Sequence, residues 1–396
     1  MKNKIDKKLK KNFRLLLLTS ILSGVSGTGF AATITCTPEA DGSYLPGNVI
    51  PSCNTVSAAT ITQPSTAGFY ILTRSRLYET LIVGNTDVTA NVTGGYGGIG
   101  NQYASGAAGA SISTGDLKFN VTSVDGGAIL GTHSVVNITT KNVDATLTAN
   151  YGGGNSSGGV AQYGLLTGST VSSGETLDTG EYSTITTMNL KLNQTTTGGS
   201  TTPILNNGIR AIQGATSNAT LPNGGRGTAG QVIVNGILDM TLTGNRSVGI
   251  YVSGNATNHG VATDRAPVFN ALTPKVILNN DAKIIINKGT GFSFTTWDSH
   301  GIKLGKVRYA GEGPGILESH GNLVIDTTNA LQGGGIKMMR NSILDASDSN
   351  ASTTIKTNGY ALEIGGHDDA ARNGFVLTYE QAASNGATAS FNNAIF

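Results

Sequence analysis

Ser247-Val248-Gly249-Ile250-Tyr251-Val252 is a short segment that recurs three times further along the chain. The copies are Ser299-His300-Gly301-Ile302-Lys303-Leu304, Gly333-Gly334-Gly335-Ile336-Lys337-Met338 and Asn358-Gly359-Tyr360-Ala361-Leu362, and a weaker one is Asn207-Gly208-Ile209-Arg210-Ala211. Each places a glycine after small or polar residues and ahead of an apolar, variable, apolar triplet. Such self-similarity marks a stacked repeat, so the sequence predicts a solenoid rather than a globular enzyme.

A strand-like block lies upstream of the repeats. In these blocks apolar residues alternate with Thr, Asn and Lys, which places one side of each strand in a core and the other in water. A repeat glycine follows its block after about 15 to 25 residues, roughly one coil of a β-helix. The sequence therefore predicts an all-β solenoid, with an ordinary β-sandwich as the alternative. The blocks are Leu190-Lys191-Leu192, residues 232–238 and 276–280, Ile316-Leu317 and Ile343-Leu344.

The repeat glycines suit a corner of the coil, where the backbone either needs a positive φ or leaves no room for a Cβ atom. Their spacing is unequal, at positions 208, 249, 301, 335 and 359. We therefore expect irregular loop insertions of different lengths between coils, and residues 253–274 should form one of them.

The composition agrees with stacked strands. The chain has 56 Gly, only 9 Pro, 13% charged and 6% aromatic residues. Its 38% hydrophobic residues are grouped into short strand-like runs, which argues against a disordered chain. Apart from glycine-rich stretches, the chain is expected to fold.

Residues 1–32 are predicted to be a signal peptide. Six lysines and Arg14 precede an apolar stretch from Leu15 to Leu22, and the small-x-small pattern that follows predicts cleavage near Ala31 and Ala32. The segment carries seven cations and one anion, so its removal changes the formal net charge from +2 to +2 − 6 = −4. Nucleic-acid binding requires clustered Lys and Arg, so no nucleic-acid partner is expected for the mildly acidic mature chain.

The only two cysteines, Cys36 and Cys53, follow the signal closely. In an oxidising compartment they should pair, and their spacing fits no metal motif. Closing a loop of about 17 residues would contribute on the order of 3 kcal/mol. We predict that the disulfide pins an N-terminal cap segment at residues 33–60, ahead of a β-helix body at residues 61–396.

The basic signal, the Gly-, Asn- and Thr-rich chain and the strand blocks followed by Gly-Ile-x-Val/Leu/Met resemble the passenger region of bacterial autotransporters, which are type V secreted proteins. This resemblance covers residues 33–396. It implies a right-handed parallel β-helix that is exported through the inner membrane of a Gram-negative-type cell and displayed at the outer-membrane surface or secreted. It also implies an outer-membrane β-barrel translocator. The C-terminal part shows no series of about 9–11-residue barrel strands, so the chain is expected to stop inside the passenger.

Two segments match nucleotide-binding or catalytic motifs by spacing, but the sequence around them does not fit those motifs. Residues 95–100 fit G-x-G-x-x-G, but no helix pattern follows them. Residues 154–158 match the spacing of a nucleophile elbow but lie in a Gly/Ser run. His300 and His320 share a Ser-His-Gly frame and would approach one another only if they stacked on adjacent coils. We predict no catalytic residue, no cofactor and no metal site, and hence no enzyme.

Three classes of function follow from this interpretation. The leading hypothesis is a surface adhesin, whose partner is a receptor on a host cell, in a matrix or on another bacterium. One alternative is a β-helical polysaccharide-degrading enzyme, which needs clustered carboxylates or an Asp-rich calcium groove. The other is a structural, self-associating biofilm passenger, in which polar side chains of neighbouring molecules pair.

Overall fold

The computed structural model divides into two compact units, Met1–Ile34 and Thr35–Phe396. All residues that the structure describes belong to the second unit. They are residues 43–44, 60–64, 69–72, 80–82, 88–93, 97–100, 110–123, 127–132, 136–151, 161–168, 182–198, 205–213, 229–254, 273–290, 299–308, 311–339, 342–364 and 387–396.

Three parallel sheets build the second unit, and the chain runs from sheet 1 to sheet 2 to sheet 3 in each coil. Sheet 1 contains β4 (Thr80–Ile82), β7 (Ala110–Ser113), β10 (Val136–Thr139), β13 (Tyr182–Thr187), β16 (Ala229–Val234), β19 (Lys275–Leu278), β24 (Ile316–Ser319), β27 (Ile343–Ala346) and β30 (Thr388–Phe391). Sheet 2 contains β2 (Thr60–Pro64), β5 (Val88–Thr93), β8 (Leu117–Ser123), β11 (Val143–Tyr151), β14 (Leu190–Gly198), β17 (Leu238–Thr243), β20 (Ala282–Asn287), β25 (Leu323–Thr327), β28 (Thr353–Thr357) and β31 (Ala394–Ile395). Sheet 3 contains β1 (Ser43–Tyr44), β3 (Phe69–Leu72), β6 (Gly97–Gly100), β9 (Gly127–Gly131), β12 (Ala161–Thr167), β15 (Leu205–Ile212), β18 (Ser247–Ser253), β21 (Ser299–Leu304), β26 (Gly333–Met338) and β29 (Leu362–Ile364).

Each strand pairs in parallel with the equivalent strand of the neighbouring coil, as β18 does with β15 and β21. An antiparallel hairpin of β22 (Lys306–Arg308) and β23 (Gly311–Gly313) is inserted between β21 and β24. The predicted all-β parallel β-helix with irregular loop insertions is therefore confirmed. No helix occurs among the described residues, so none of them forms a helix long and apolar enough to cross a membrane.

Alternation along the strands sets the core. In β17, Leu238, Met240 and Leu242 point inward and are almost fully buried, while Asp239 and Thr241 point outward. The interior is thus a stack of aliphatic side chains, each of which contributes roughly 1.5–3 kcal/mol by its burial.

The apolar residue after each repeat glycine is part of this core. Ile250, Ile302 and Ile336 pair in register on successive coils of sheet 3, and all three are 0% exposed. Their predicted place in the core is confirmed.

Gly208, Gly249, Gly301 and Gly335 form a column inside sheet 3 rather than a corner. The predicted fourth copy is out of register, because Ile336 pairs with Leu362 and Gly359 lies ahead of β29. A Cβ on Gly249 would lie 2.5 Å from the carbonyl oxygen of Gly301 and 2.5 Å from Cγ2 of Ile284, which reaches across from sheet 2. Among the described residues, positive φ values at glycine occur at Gly168 and Gly305. Of the two reasons expected for these glycines, the structure shows the lack of room for a Cβ atom and not a positive φ.

One predicted strand block is in fact two strands. Residues 232–238 read as a single run, but Asn235-Gly236-Ile237 forms the turn between β16 in sheet 1 and β17 in sheet 2. The apolar residues on both sides of this turn are buried, so the apolar pattern by itself does not show the change of sheet.

Candidate functional surface

The predicted processing and disulfide residues lie outside the described part of the chain. These are Ala31 and Ala32 at the expected cleavage site and Cys36 and Cys53 of the expected disulfide. Both remain predictions from the sequence.

The two histidines in the Ser-His-Gly frame are not brought together. His300 lies in β21 of sheet 3, is 5% exposed and sits next to Gly334 of the following coil. His320 lies in the turn between β24 in sheet 1 and β25 in sheet 2 and is exposed. A shared sequence frame therefore does not correspond to a shared position in the coil.

Hydrogen bonds within local turns lower the pKa of two carboxyl groups. The pKa of Asp326 is lowered chiefly by the hydroxyl of Thr328, which donates to Oδ1 of the carboxylate at 2.7 Å. The pKa of Asp345 is lowered chiefly by the hydroxyl of Ser347 at 2.6 Å. Both shifts favour the ionised carboxylate, whereas a carboxylic general acid needs a raised pKa.

Metal ligands are not gathered in the parts of the chain that the structure describes: no group of three or more His, Cys, Asp or Glu there could hold an ion. Asp348 accepts a hydrogen bond from the backbone N–H of Asn350 at 3.0 Å. In the part of the chain that the structure describes, the polar and charged groups available for binding are side chains arrayed on the outer faces of the sheets.

The outer face of sheet 2 carries a column of alternating charges, which we call the charge ladder. A column is a set of residues that pair in register on successive coils. Lys191 Nζ lies 3.7 Å from Asp144 Oδ2, and the two side chains are 55% and 49% exposed. The charge ladder consists of Lys118, Asp144, Lys191, Asp239 and Lys283.

Two uncharged polar columns run beside the charge ladder on the same face. The nearer column is Asn120, Thr146, Asn193 and Thr241, and the next, the threonine column, is Thr122, Thr148, Thr195 and Thr243. Threonine is stiff at χ1, so its hydroxyls form a regular array rather than a mobile surface. Sheet 2 therefore presents a polar outer face in which the charged residues of successive strands alternate in sign.

An amide ladder borders this face at the turn between sheets 1 and 2. Asn142 Nδ2 donates to Asp116 Oδ1 at 2.8 Å, and Asn189 Nδ2 donates to Asn142 Oδ1 at 2.7 Å. The ladder is interrupted at Ile237, which is 54% exposed, although the Ile237 backbone N–H still donates to Asn189 Oδ1 at 2.7 Å. Each amide thus bridges the turns of two coils and fixes their spacing.

Sheet 3 presents a different outer surface, the cation–tyrosine strip, formed by Tyr163, Arg210, Tyr251 and Lys303. The Arg210 guanidinium carbon lies 5.4 Å from the Tyr163 ring centre and 5.1 Å from that of Tyr251, and Arg210 Nη1 donates to the Tyr163 hydroxyl at 2.9 Å. Lys303 Nζ lies 5.4 Å from the Tyr251 ring centre. One coil further on, Lys337 pairs with Glu363 at 3.2 Å.

Sequence reasoning missed both surfaces. The signal for the charge ladder is a dipeptide at the start of successive sheet 2 strands, an inward aliphatic residue followed by an outward charge, as in Leu117-Lys118, Val143-Asp144 and Leu190-Lys191. Loops of unequal length separate these dipeptides. Their alignment therefore becomes visible only when the coils are stacked.

No protein-family model, no curated protein and no solved structure matches this chain.

Proposed function

We propose that this chain is the passenger of an exported adhesin, a β-helical scaffold that attaches through its outer faces to a receptor on a host cell, in a matrix or on another bacterium. The observation that carries the proposal is the cation–tyrosine strip on sheet 3. Tyr and Arg are the residue types that dominate binding energy at protein interfaces. In this strip each is held in place by its neighbours on adjacent coils.

The strip suits recognition because its geometry is set before a ligand arrives. Arg210 is held between two tyrosine rings and hydrogen-bonded to one of them, so little side-chain freedom remains to be lost on binding. The parallel strands beneath it keep the coil-to-coil spacing fixed at about 4.8 Å. A rigid row of rings and cations can contact an extended glycan or a protein surface.

Export to the cell surface completes the proposal. It is supported by the basic and apolar N-terminal residues 1–32 and by the placement of the two cysteines just after them. The partner in export would be an outer-membrane β-barrel translocator.

Attachment of beads coated with the purified full chain to host cells, extracellular matrix and bacterial cells tests the proposal. The double variant Arg210→Gln/Tyr251→Ala should lower attachment roughly tenfold or more, because it removes two central contacts. The matched control Lys141→Gln/Lys288→Ala changes two exposed residues outside the strip and should attach like the wild type.

Two results would contradict the adhesin. One is wild-type protein that attaches to none of the three surfaces. The other is turnover of a polysaccharide that disappears with a single carboxylate substitution, which would favour the polysaccharide-degrading enzyme. The unfolding midpoint of each variant is measured in parallel, so that a loss of attachment is not mistaken for a loss of folding.

A further inference from the structure

We infer that the outer face of sheet 3 holds a carboxylate-binding site, built from the side chains of Tyr163, Asn207 and Arg210, and that its ligand is a glutamate-rich peptide segment. The inference rests on the proposed attachment function and deepens it, because it names the chemistry of the partner. Two buried hydrogen-bond donors that have no acceptor in the described part of the chain carry it.

Asn207 and Arg210 each present one of these donors. Asn207 is 1% exposed, and its Nδ2 has no hydrogen-bond acceptor among the residues that the structure describes. The same is true of Nε of Arg210. A buried donor without an acceptor costs free energy, and an acceptor that reaches it removes that cost. Two such donors on one strand therefore favour binding of a ligand that carries an acceptor.

The two donors belong to one site because both residues adjoin Tyr163 of the preceding coil. Asn207 pairs with Tyr163 in register. Arg210 Nη1 donates to the hydroxyl of the same tyrosine at 2.9 Å. Gly208 lies between the two donors in sequence and faces the interior, where an added Cβ would collide with Sδ of Met240. Asn207 and Arg210 thus point to the same side of sheet 3, around one tyrosine.

The charge of Arg210 makes an anionic acceptor the better match. Tyr251 and Lys303 follow Arg210 in its column. The next carboxylate in that column is Glu363, four strands beyond Arg210, and it pairs with Lys337 at 3.2 Å. A half-buried guanidinium is stabilised by an opposite charge more than by a neutral dipole. The arrangement therefore favours an anion over a neutral acceptor.

The orientation of the guanidinium suits a carboxylate. Its central carbon lies 5.4 Å from the ring centre of Tyr163 and 5.1 Å from that of Tyr251, so a ring lies on either side. Nη1 is bonded to the Tyr163 hydroxyl, which leaves the edge that carries Nε. Carboxylates bind arginine edge-on, in the plane of the guanidinium. Their two oxygens provide enough lone pairs to accept from this edge and from Asn207 Nδ2 together.

The depth of the site decides which carboxylate fits. Asn207 is buried, while Tyr163, Arg210 and Tyr251 are half-buried, so a ligand must reach the donors between these side chains. Glutamate carries its carboxylate on a narrow, flexible stem. In an acidic sugar the carboxylate is bonded directly to the ring, and a ring does not pass between side chains on coils about 4.8 Å apart. We therefore assign the ligand to a peptide rather than to a polysaccharide.

Lys303 adds a second positive charge to the same surface. It lies two strands beyond Arg210 in the column, at about 9.6 Å for a strand spacing of about 4.8 Å. Its Nζ lies 5.4 Å from the ring centre of Tyr251. A peptide with several glutamates can approach both cations, and long-range attraction speeds such an encounter. Binding should therefore weaken as salt rises.

Rotation of the Asn207 amide is the alternative explanation, and it is confined to one chain. A half-turn would exchange Nδ2 for Oδ1 and so remove one of the two unpaired donors. A neutral amide does not balance the charge of Arg210, however. This explanation also predicts no binding of an anion at the site, so the two explanations differ in a measurable way.

Fluorescence anisotropy of a labelled synthetic peptide of alternating glutamate and serine, titrated with the purified full chain, tests the inference. The wild type should bind this peptide and should not bind the same peptide with glutamine in place of glutamate. Asn207→Asp places a carboxylate inside the site, beside Arg210. It should weaken peptide binding at least roughly tenfold without lowering the midpoint of thermal unfolding.

A matched control and a second variant accompany this test. Asn193→Asp makes the same chemical change on the exposed face of sheet 2 and should bind the peptide like the wild type. Arg210→Lys keeps the positive charge but removes the planar edge, and should also weaken binding roughly tenfold. If Asn207→Asp fails to fold, Asn207→Leu, which removes the donor without adding a charge, replaces it and should weaken binding as well.

The inference is overturned if the wild type does not bind the glutamate peptide, if it binds the glutamine peptide equally well, or if Asn207→Asp binds like the wild type. Binding of polygalacturonate in place of the peptide would assign the site to an acidic sugar and would also overturn it. Attachment of wild-type beads without peptide binding would leave the adhesin standing. Peptide binding without attachment to any of the three surfaces would remove the adhesin alone.

Discussion

The middle and the last coil of sheet 3 place equivalent residues in different surroundings. Val252, Leu304 and Met338 are paired in register and are 0% exposed. Ile364 is the next residue of the same column, paired with Met338, and it is 49% exposed. An aliphatic residue at this position is buried only when coils lie on both sides of it, so in this solenoid the core is a property of stacking rather than of a single coil.

The largest expected effect tests that difference directly. Leu304→Asp places a charge between two coils, where it has no water and no partner, and should lower the free energy of unfolding by about 3–5 kcal/mol. Ile364→Asp puts the same charge on the half-exposed last coil and should cost about 1 kcal/mol or less. Denaturant unfolding of both variants provides the measurement. Equal losses would mean that burial in the column does not depend on neighbouring coils.

Glycine substitutions extend the comparison to the other end of sheet 3. In Gly249→Ala the new Cβ would lie 2.5 Å from the Gly301 carbonyl oxygen, and the resulting strain should cost about 1–3 kcal/mol. At Gly131 the nearest atom to a new Cβ is Ala128 Cβ at 3.6 Å, so Gly131→Ala should be neutral or stabilise by about 0.4–1 kcal/mol. Thermal unfolding of the pair decides whether crowding, rather than loss of glycine itself, is what destabilises.

A smaller effect is expected in the amide ladder. Asn189 bonds to both neighbouring turns, donating to Asn142 and accepting from the backbone N–H of Ile237, so Asn189→Ala should cost about 1–1.5 kcal/mol. Ser352 bonds through its hydroxyl to the preceding turn, at Asn322, and Ser352→Ala should cost about 0.5 kcal/mol. Hydrogen exchange of the turn amides would show the loss. A larger effect at Ser352 would contradict a dependence on two-sided contact.

The smallest effect is expected for the pKa of a carboxyl group, and it should not depend on where the residue lies in the stack of coils. Removing the hydroxyl in Ser347→Ala should raise the pKa of Asp345 toward the ordinary value of an aspartate and leave the pKa of Asp326 lowered, because each shift comes chiefly from a hydrogen bond to a residue two positions along the chain. A folded-state pKa below the unfolded one stabilises the fold fully above the unfolded pKa, and this stabilisation is lost as the pH falls through the lowered pKa.

Carboxyl titration by NMR provides the measurement. The stability difference between wild type and Ser347→Ala should disappear at the acid end of the same titration. An unchanged pKa for Asp345 in the variant would contradict the hydroxyl as its cause.

The fold was more readily predicted than the functional surfaces, because the signal for the fold lies within single strands. Side chains alternate with period two along a strand, so the inward Leu238, Met240 and Leu242 are recognisable without any partner strand. The surfaces depend on which coils are adjacent. Lys118 and Asp144 pair in register because one coil, which contains β9 and β10, returns the chain to the same position along sheet 2 on the next strand.

The sequence by itself therefore determined the strands, their inner faces and the stacked repeat, because alternation and the Gly-Ile segments are encoded within a few residues. The tertiary structure decided the rest. It showed that Gly249 lacks room because Ile284 reaches across from sheet 2, and that Ile364 is exposed where Leu304 is buried. It also aligned the charge ladder. These features arise from contacts between coils. The coils differ in length, so the sequence alone does not show which residues of successive coils are in contact.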